Sequence, residues 1–256
     1  DDVMDESPTR RGIPTTHVTV AAAHRAHGGV GDPQRFAESV AVLVGDLLHA
    51  HALVLAAPLP APVHARFAEM VLELVDGQAQ DVLAAAAGPG DLDRAREIAL
   101  LKTGRYSVQR PLELGGTLGS ASPDVLRELS RYGELVGEAF ALRDDALGVW
   151  GDPERTGKPV GDDLRDRKQT MMLALARDLL PPAGLALLDT DSGRALATDE
   201  VAELTAHLEA VGLRQAVAQR VEHLIGEAVE VLDPARAEAA GGHLETVAHE
   251  IAGSMP

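Results

Sequence analysis

"ALRDDALGVWGDPERTGKPVGDDLRDRKQT" (residues 141–170) joins the end of an apolar helix pattern to an acid pair, a Gly/Pro-rich break and two lysines. The helix pattern begins well upstream. Leu129, Val136, Phe140 and Leu147 recur at helical spacing and predict one long helix over 123–150. Asp144 falls on that same face, one turn after Phe140. A polar group on an apolar stripe has two readings. Either the stripe reaches solvent there, or the helix feeds a buried polar site.

Two further segments repeat the pattern. Phe67, Met70 and Leu74 lead to Gln78 and Asp81, and Leu92, Ala95 and Ala99 lead to Lys102. Three stripes ending in polar groups predict helices that converge on a polar cavity. Outward from these, the sequence predicts helices over about 33–57, 63–87, 169–180, 198–210, 213–232 and 235–252. Residues 1–12 read as the end of a helix with a turn at Ser7-Pro8. Pro111 and "LGGTLG" should kink or divide the segment that starts near Asp91. No strand pattern, internal repeat or domain linker is evident. The expectation is an all-α fold in one domain over 1–256.

Composition narrows the function. The chain of 256 residues is 45% hydrophobic and 25% charged, as ordinary globular proteins are. A net charge of −17 argues against nucleic acid and anionic lipid as partners. Cysteine is absent, which excludes thiolate metal sites and Cys nucleophiles. The most apolar segment, 40–57, contains Asp46, His49 and His51 and reads as too short for stable membrane insertion. No signal peptide is read, so the expected location is cytoplasmic. The ten histidines form no HExxH pattern, and His17, His24, His27, His49 and His51 read as core or surface rather than zinc ligands. No G-x-S-x-G elbow supports a serine nucleophile.

What remains is acids and a few selected bases. Asp1 and Asp5 are four apart, and Asp144 and Asp145 form a second group. Carboxylate oxygens in this number suit Mg²⁺, or Mn²⁺, and Mg²⁺ commonly bridges carboxylates to phosphates. Arginine outnumbers lysine twenty to three, and Lys102, Lys158 and Lys168 are all the lysines there are. With Arg10 and Arg11 they are the cations a polyphosphate would need. Bound Mg²⁺ would reverse the local sign that otherwise repels such a substrate.

These residues resemble the trans-isoprenyl diphosphate synthases, the polyprenyl synthetases, and most closely their bacterial geranylgeranyl diphosphate synthase-like members. "DDVMDESPTRRG" (1–12) matches the first Asp-rich motif with its two arginines. "GQAQD" (77–81), "KTGRYSV" (102–108) and "FALRDDALGVWGDPERTGKPVGDDLRDRKQT" (140–170) match later motifs in order. The match covers about residues 1–170, and the last third fits only as helices.

The resemblance implies an isoprenoid synthase-type helical bundle around a central cavity, usually homodimeric, with three Mg²⁺ ions holding an allylic diphosphate. It makes Asp1, Asp5 and Asp144 the principal metal ligands, with Asp2, Asp81 and Asp145 in support. Arg10, Lys102, Thr103, Lys158 and Lys168 would hold the allylic diphosphate, and Arg11 the isopentenyl diphosphate. Gln78 and Phe140 would line the substrate site, with the Phe140 ring able to face a cation. The implied reaction condenses the two diphosphates to a longer trans-prenyl diphosphate.

Three departures bear on this. Ala141 stands where the family has Gln. Gly148 stands where it has the third acid of the second motif. The helices before the first motif, with their isopentenyl-diphosphate grip, are not in the sequence, which begins at Asp1 and reads as truncated or processed. A class I terpene cyclase-like enzyme and a non-catalytic regulatory subunit are the alternatives. "TGKPVGDD" argues against the first and the intact acids and bases against the second.

Overall fold

The computed structural model describes residues 2–10, 12–88, 90–152, 161–189, 194–234 and 242–256. It is helical nearly throughout and forms two compact units, divided at His64 and Ala65.

In the first unit, residues 2–6 form turns rather than the end of a helix. A short antiparallel pair, β1 (Thr9–Arg10) and β2 (Ile13–Pro14), follows. Gly12 turns the chain at φ +73°, a conformation that glycine adopts without strain. The Thr15 hydroxyl donates to the Ser7 carbonyl at 2.8 Å and closes this segment. Helix α1 (Thr16–Ala26) escaped the sequence reading because Thr16, Val18, Thr19 and Val20 are β-branched and weaken helical propensity.

It packs on α2 (Pro33–Ala56), which Asp32 caps by accepting from the Gln34 N–H at 3.0 Å. Helix α2 has 24 residues and a mean hydropathy of 1.8 in its most apolar window, enough by length and composition to cross a membrane. The segment 40–57 taken alone reads as too short, but the whole helix, which begins at Pro33 as predicted, reaches spanning length. Asp46, His49 and His51 still interrupt its apolar surface. Val42, Leu43, Leu47, Leu48, Val54 and Leu55 are all exposed on it.

The second unit contains most of helix α3 (Ala61–Ala87) and then α4 (Leu92–Ala99), capped by Asp91. Helix α4 runs straight into a π-helix, Leu100–Gln109, and then α5 (Arg110–Leu118), with Pro111 in its first turn. The expected division at Pro111 is therefore a change of helix type. Helix α6 (Pro123–Trp150) starts at the Ser122 cap with Pro123 leading it. It is followed by α7 (Asp162–Arg165), α8 (Met171–Arg177), α9 (Pro182–Asp189), α10 (Thr198–Ala210), α11 (Leu213–Val231) and α12 (His243–Gly253). Of the helix expected over 235–252, residues 235–241 lie outside the described residues.

The core lies between α6 and α11. Leu135, Val136, Ala139, Leu142, Ala146 and Val149 face Val217, Val221, Leu224, Ile225 and Ala228 in one buried cluster. The other side of α6 carries the π-helix at very close range. A methyl group on Gly104 would lie 2.9 Å from the Gly137 carbonyl carbon, and one on Gly133 only 2.5 Å from the Gln109 Cα. Only glycine lets these backbones approach so far.

Candidate active site

The π-helix sets the site. Lys102 and Thr103 occupy its first turn, and both are half-buried. π-Turns widen the helix and occur frequently at functional sites. Gly77 of α3 packs against this turn, where a Cβ would lie 2.6 Å from the Lys102 backbone nitrogen. One helical turn after Gly77 comes Asp81, whose Oδ2 receives a hydrogen bond from Lys102 Nζ at 2.6 Å. Two of the three stripes thus do converge, and a glycine contact explains how. Gly77→Ala should separate these helices, cost about 1–3 kcal/mol and break the pair. Thermal unfolding checks the stability loss, and unchanged stability would show that the contact is loose.

The third stripe ends nearby. Of the predicted stripe, Val136 is fully buried in the core, while Leu129, Phe140 and Leu147 are half-buried beside it. Asp144 on the stripe is exposed, and consecutive Asp145 turns about 100° away. Asp145 retains some exposed area, but its carboxyl is packed within protein. Burial pushes that carboxyl well above the usual range, and the charges of Asp163, Asp144 and Asp81 add to the push. The Met172 N–H, donating to Oδ2 at 3.2 Å, acts against them. Lys168 Nζ lies 3.4 Å from Asp163 Oδ1.

In the second unit Asp81 is paired with Lys102 and Asp163 with Lys168, and the charges of Asp163, Asp144 and Asp81 all reach Asp145. Asp163 is among them, although its place in the break reads as loop solvation. Among the described residues, no three acid or histidine side chains are close enough together to hold a metal ion among themselves.

Other predicted residues are placed as follows. Gln78 is half-buried on α3. Phe140 has the Arg143 guanidinium 5.7 Å from its ring centre, so this chain's own cation already faces it. Ala141 is buried, where a Gln would have to be accommodated in the core. In the first unit, Asp2 and Asp5 are half-buried, and Arg10 Nε donates to Asp2 Oδ1 at 2.7 Å. Asp1, Arg11 and Lys158 lie outside the described residues. Sequence reasoning missed Glu138, which is buried on α6 and joined to Arg96 and Arg220. A signal was present, since Glu138 stands at helical spacing between Leu135 and Leu142.

A polyprenyl synthetase family model matches residues 1–210. The chain belongs to the polyprenyl synthetase family. Among its relatives, the geranylgeranyl diphosphate synthase of Mycobacterium tuberculosis is 35% identical over 181 residues, covering 69% of this chain and 47% of that protein. The (2E,6E)-farnesyl diphosphate synthase of Mycobacterium bovis is 30% identical over 241 residues, covering 91% and 62%. The chain thus spans about half the length of the first of these curated relatives.

A crystal structure of geranylgeranyl pyrophosphate synthase from Corynebacterium glutamicum, complexed with isoprenyl diphosphate and magnesium, superposes with a TM-score of 0.85. It is 36% identical, with 98% of this chain and 73% of that chain covered. The all-α fold expected from the sequence is the fold of these polyprenyl synthetases.

Proposed function

We propose that this polyprenyl synthetase is a cytoplasmic, Mg²⁺-dependent trans-prenyltransferase. It condenses an allylic diphosphate with isopentenyl diphosphate to geranylgeranyl diphosphate or a similar product. One observation carries the reading. The Lys102–Asp81 pair and the Lys168–Asp163 pair lie on elements that surround a buried acid, Asp145, burdened by neighbouring carboxylates. The whole of 1–256 would serve as one domain.

The donor set suits the metal. Asp1, Asp2, Asp5, Asp144 and Asp145 offer oxygen only, as a hard cation prefers. The charge burden on Asp145 is what a cation would offset. Mg²⁺, as three ions by family resemblance, would supply positive charge to the departing diphosphate.

The remaining work falls to side chains. Arg10, Lys102, Thr103, Lys158 and Lys168 would hold the allylic diphosphate and stabilise its negative charge as it leaves. Arg11 would hold the isopentenyl diphosphate, while Gln78 and Phe140 contact the substrate. As the allylic C–O bond breaks, the isopentenyl double bond forms the new C–C bond, and the resulting cation loses a proton from the adjacent isopentenyl carbon to the departed diphosphate.

The exposed leucines and valines of α2 support a homodimer, because a patch of this kind is seldom left to water. Incubation with isopentenyl diphosphate and allylic primers of several lengths should yield chain-elongated product only when Mg²⁺ is present. A folded protein that elongates no primer would remove the proposal. A cyclic hydrocarbon formed without isopentenyl diphosphate would replace it with a cyclase. Inactivity alone, with the rate of a partner synthase raised above its own on mixing, would identify a regulatory subunit.

A further inference from the structure

Gly148 lies one turn beyond Asp144 on α6, so a side chain there would project beside the acid pair. That space is already taken. A Cβ on Gly148 would lie 2.6 Å from Asp163 Oδ2. The other oxygen of the same carboxylate, Oδ1, faces Lys168 Nζ at 3.4 Å. Backbone bonds hold this arrangement in place. The Gly161 N–H donates to the Gly148 carbonyl at 2.8 Å, and the Lys168 N–H to the Asp163 carbonyl at 2.9 Å. Both side chains of the pair are about three-tenths exposed, so the pair is half-buried and reachable by a ligand. We propose that Asp163, seated over Gly148, is a positioning residue that presents Lys168 to the diphosphate and fills the place of a third acid on this face of α6.

A loop-shaping role for Asp163 makes different predictions, and Gly148 separates the two. Alanine at 148 collides with the tip of a mobile side chain, not with backbone, so the carboxylate swings aside while the fold persists. Alanine also favours helix over glycine. G148A should therefore unfold no earlier than wild type, yet mimic D163N in binding.

The proposal rests on the diphosphate-binding reading above. The test is calorimetric titration of wild type, G148A, D163N and the double variant with inorganic pyrophosphate in Mg²⁺, with thermal unfolding of each. Each single variant should bind about tenfold more weakly, and the double variant no more weakly than either. Wild-type affinity in G148A, losses that multiply in the double variant, or no pyrophosphate binding by wild type overturns the proposal. Turnover with allylic primers is scored separately. A wild type that makes no product but shows the expected binding pattern removes the transferase reading and leaves this one standing. A wild type that makes product while G148A binds normally does the reverse.

Discussion

Alanine at both Arg96 and Arg220 is expected to cost about 3–5 kcal/mol at neutral pH. These arginines hold Glu138, which is 2% exposed at the centre of α6. Arg96 donates from Nε to Oε2 at 2.8 Å, and Arg220 from a terminal nitrogen to Oε1 at 3.0 Å. Removing both leaves a buried carboxylate without a partner. Glu138→Leu should cost less, because the arginine side chains are 38% and 45% exposed and can turn to water.

The pH dependence sharpens the prediction. Burial alone would raise the Glu138 carboxyl, but the hydrogen bonds and charges of Arg96 and Arg220 outweigh it and hold it below its ordinary value of 4.5. A group lowered on folding stabilises the fold above its unfolded pKa and loses that contribution as pH falls through the folded one. In the double variant only burial remains, so the direction reverses and acidification relieves the penalty. Urea unfolding at neutral and mildly acidic pH should show the gap closing. A gap that stays constant, or a loss below about 1 kcal/mol, would show the arginines to be ordinary surface charges.

Asp144→Ala should lower kcat by a hundred- to a thousandfold, or about 3–4 kcal/mol in the barrier, by weakening charge stabilisation of the departing group. Its fold should be intact to within about 0.5 kcal/mol, because Asp144 is exposed and on the surface of α6. The combination distinguishes this acid from Glu138, whose loss acts on stability first. Initial rates at saturating substrate and thermal unfolding, each across a range of Mg²⁺, are the measurements. Activity within tenfold of wild type would take Asp144 out of the metal set.

Asp144 and Glu138 also mark what the sequence could show. Asp144 stood out because an acid on an apolar stripe is costly unless it is solvated or used, and the structure shows it exposed to solvent. Asp81 and Lys102 were legible for the same reason, and the structure joins them at 2.6 Å. Glu138 follows the same rule and was still overlooked, because its two arginines come from α4 and α11, remote in sequence. The seat of Asp163 over Gly148 was hidden for a similar reason. Its partner space belongs to Gly148, and a glycine shows in sequence as a missing side chain rather than as room for another. Helix α1 was hidden by its β-branched residues, and the π-helix by a periodicity that α-helical patterns do not test.

The π-helix also sets a mismatch in residue count along α6. Gly104 meets Gly137 and Gln109 meets Gly133, so five residues of one element run beside four of the other. Four α-helical residues advance about 6 Å. The wider helix therefore spends one more residue over that distance and stores it as girth. Lys102 and Arg110 flank this stretch, and the surplus lies between Gly104 and Gln109, downstream of the lysine that meets Asp81. An inserted residue, ordinarily the ruin of a packed helix, is here a settled part of the contact.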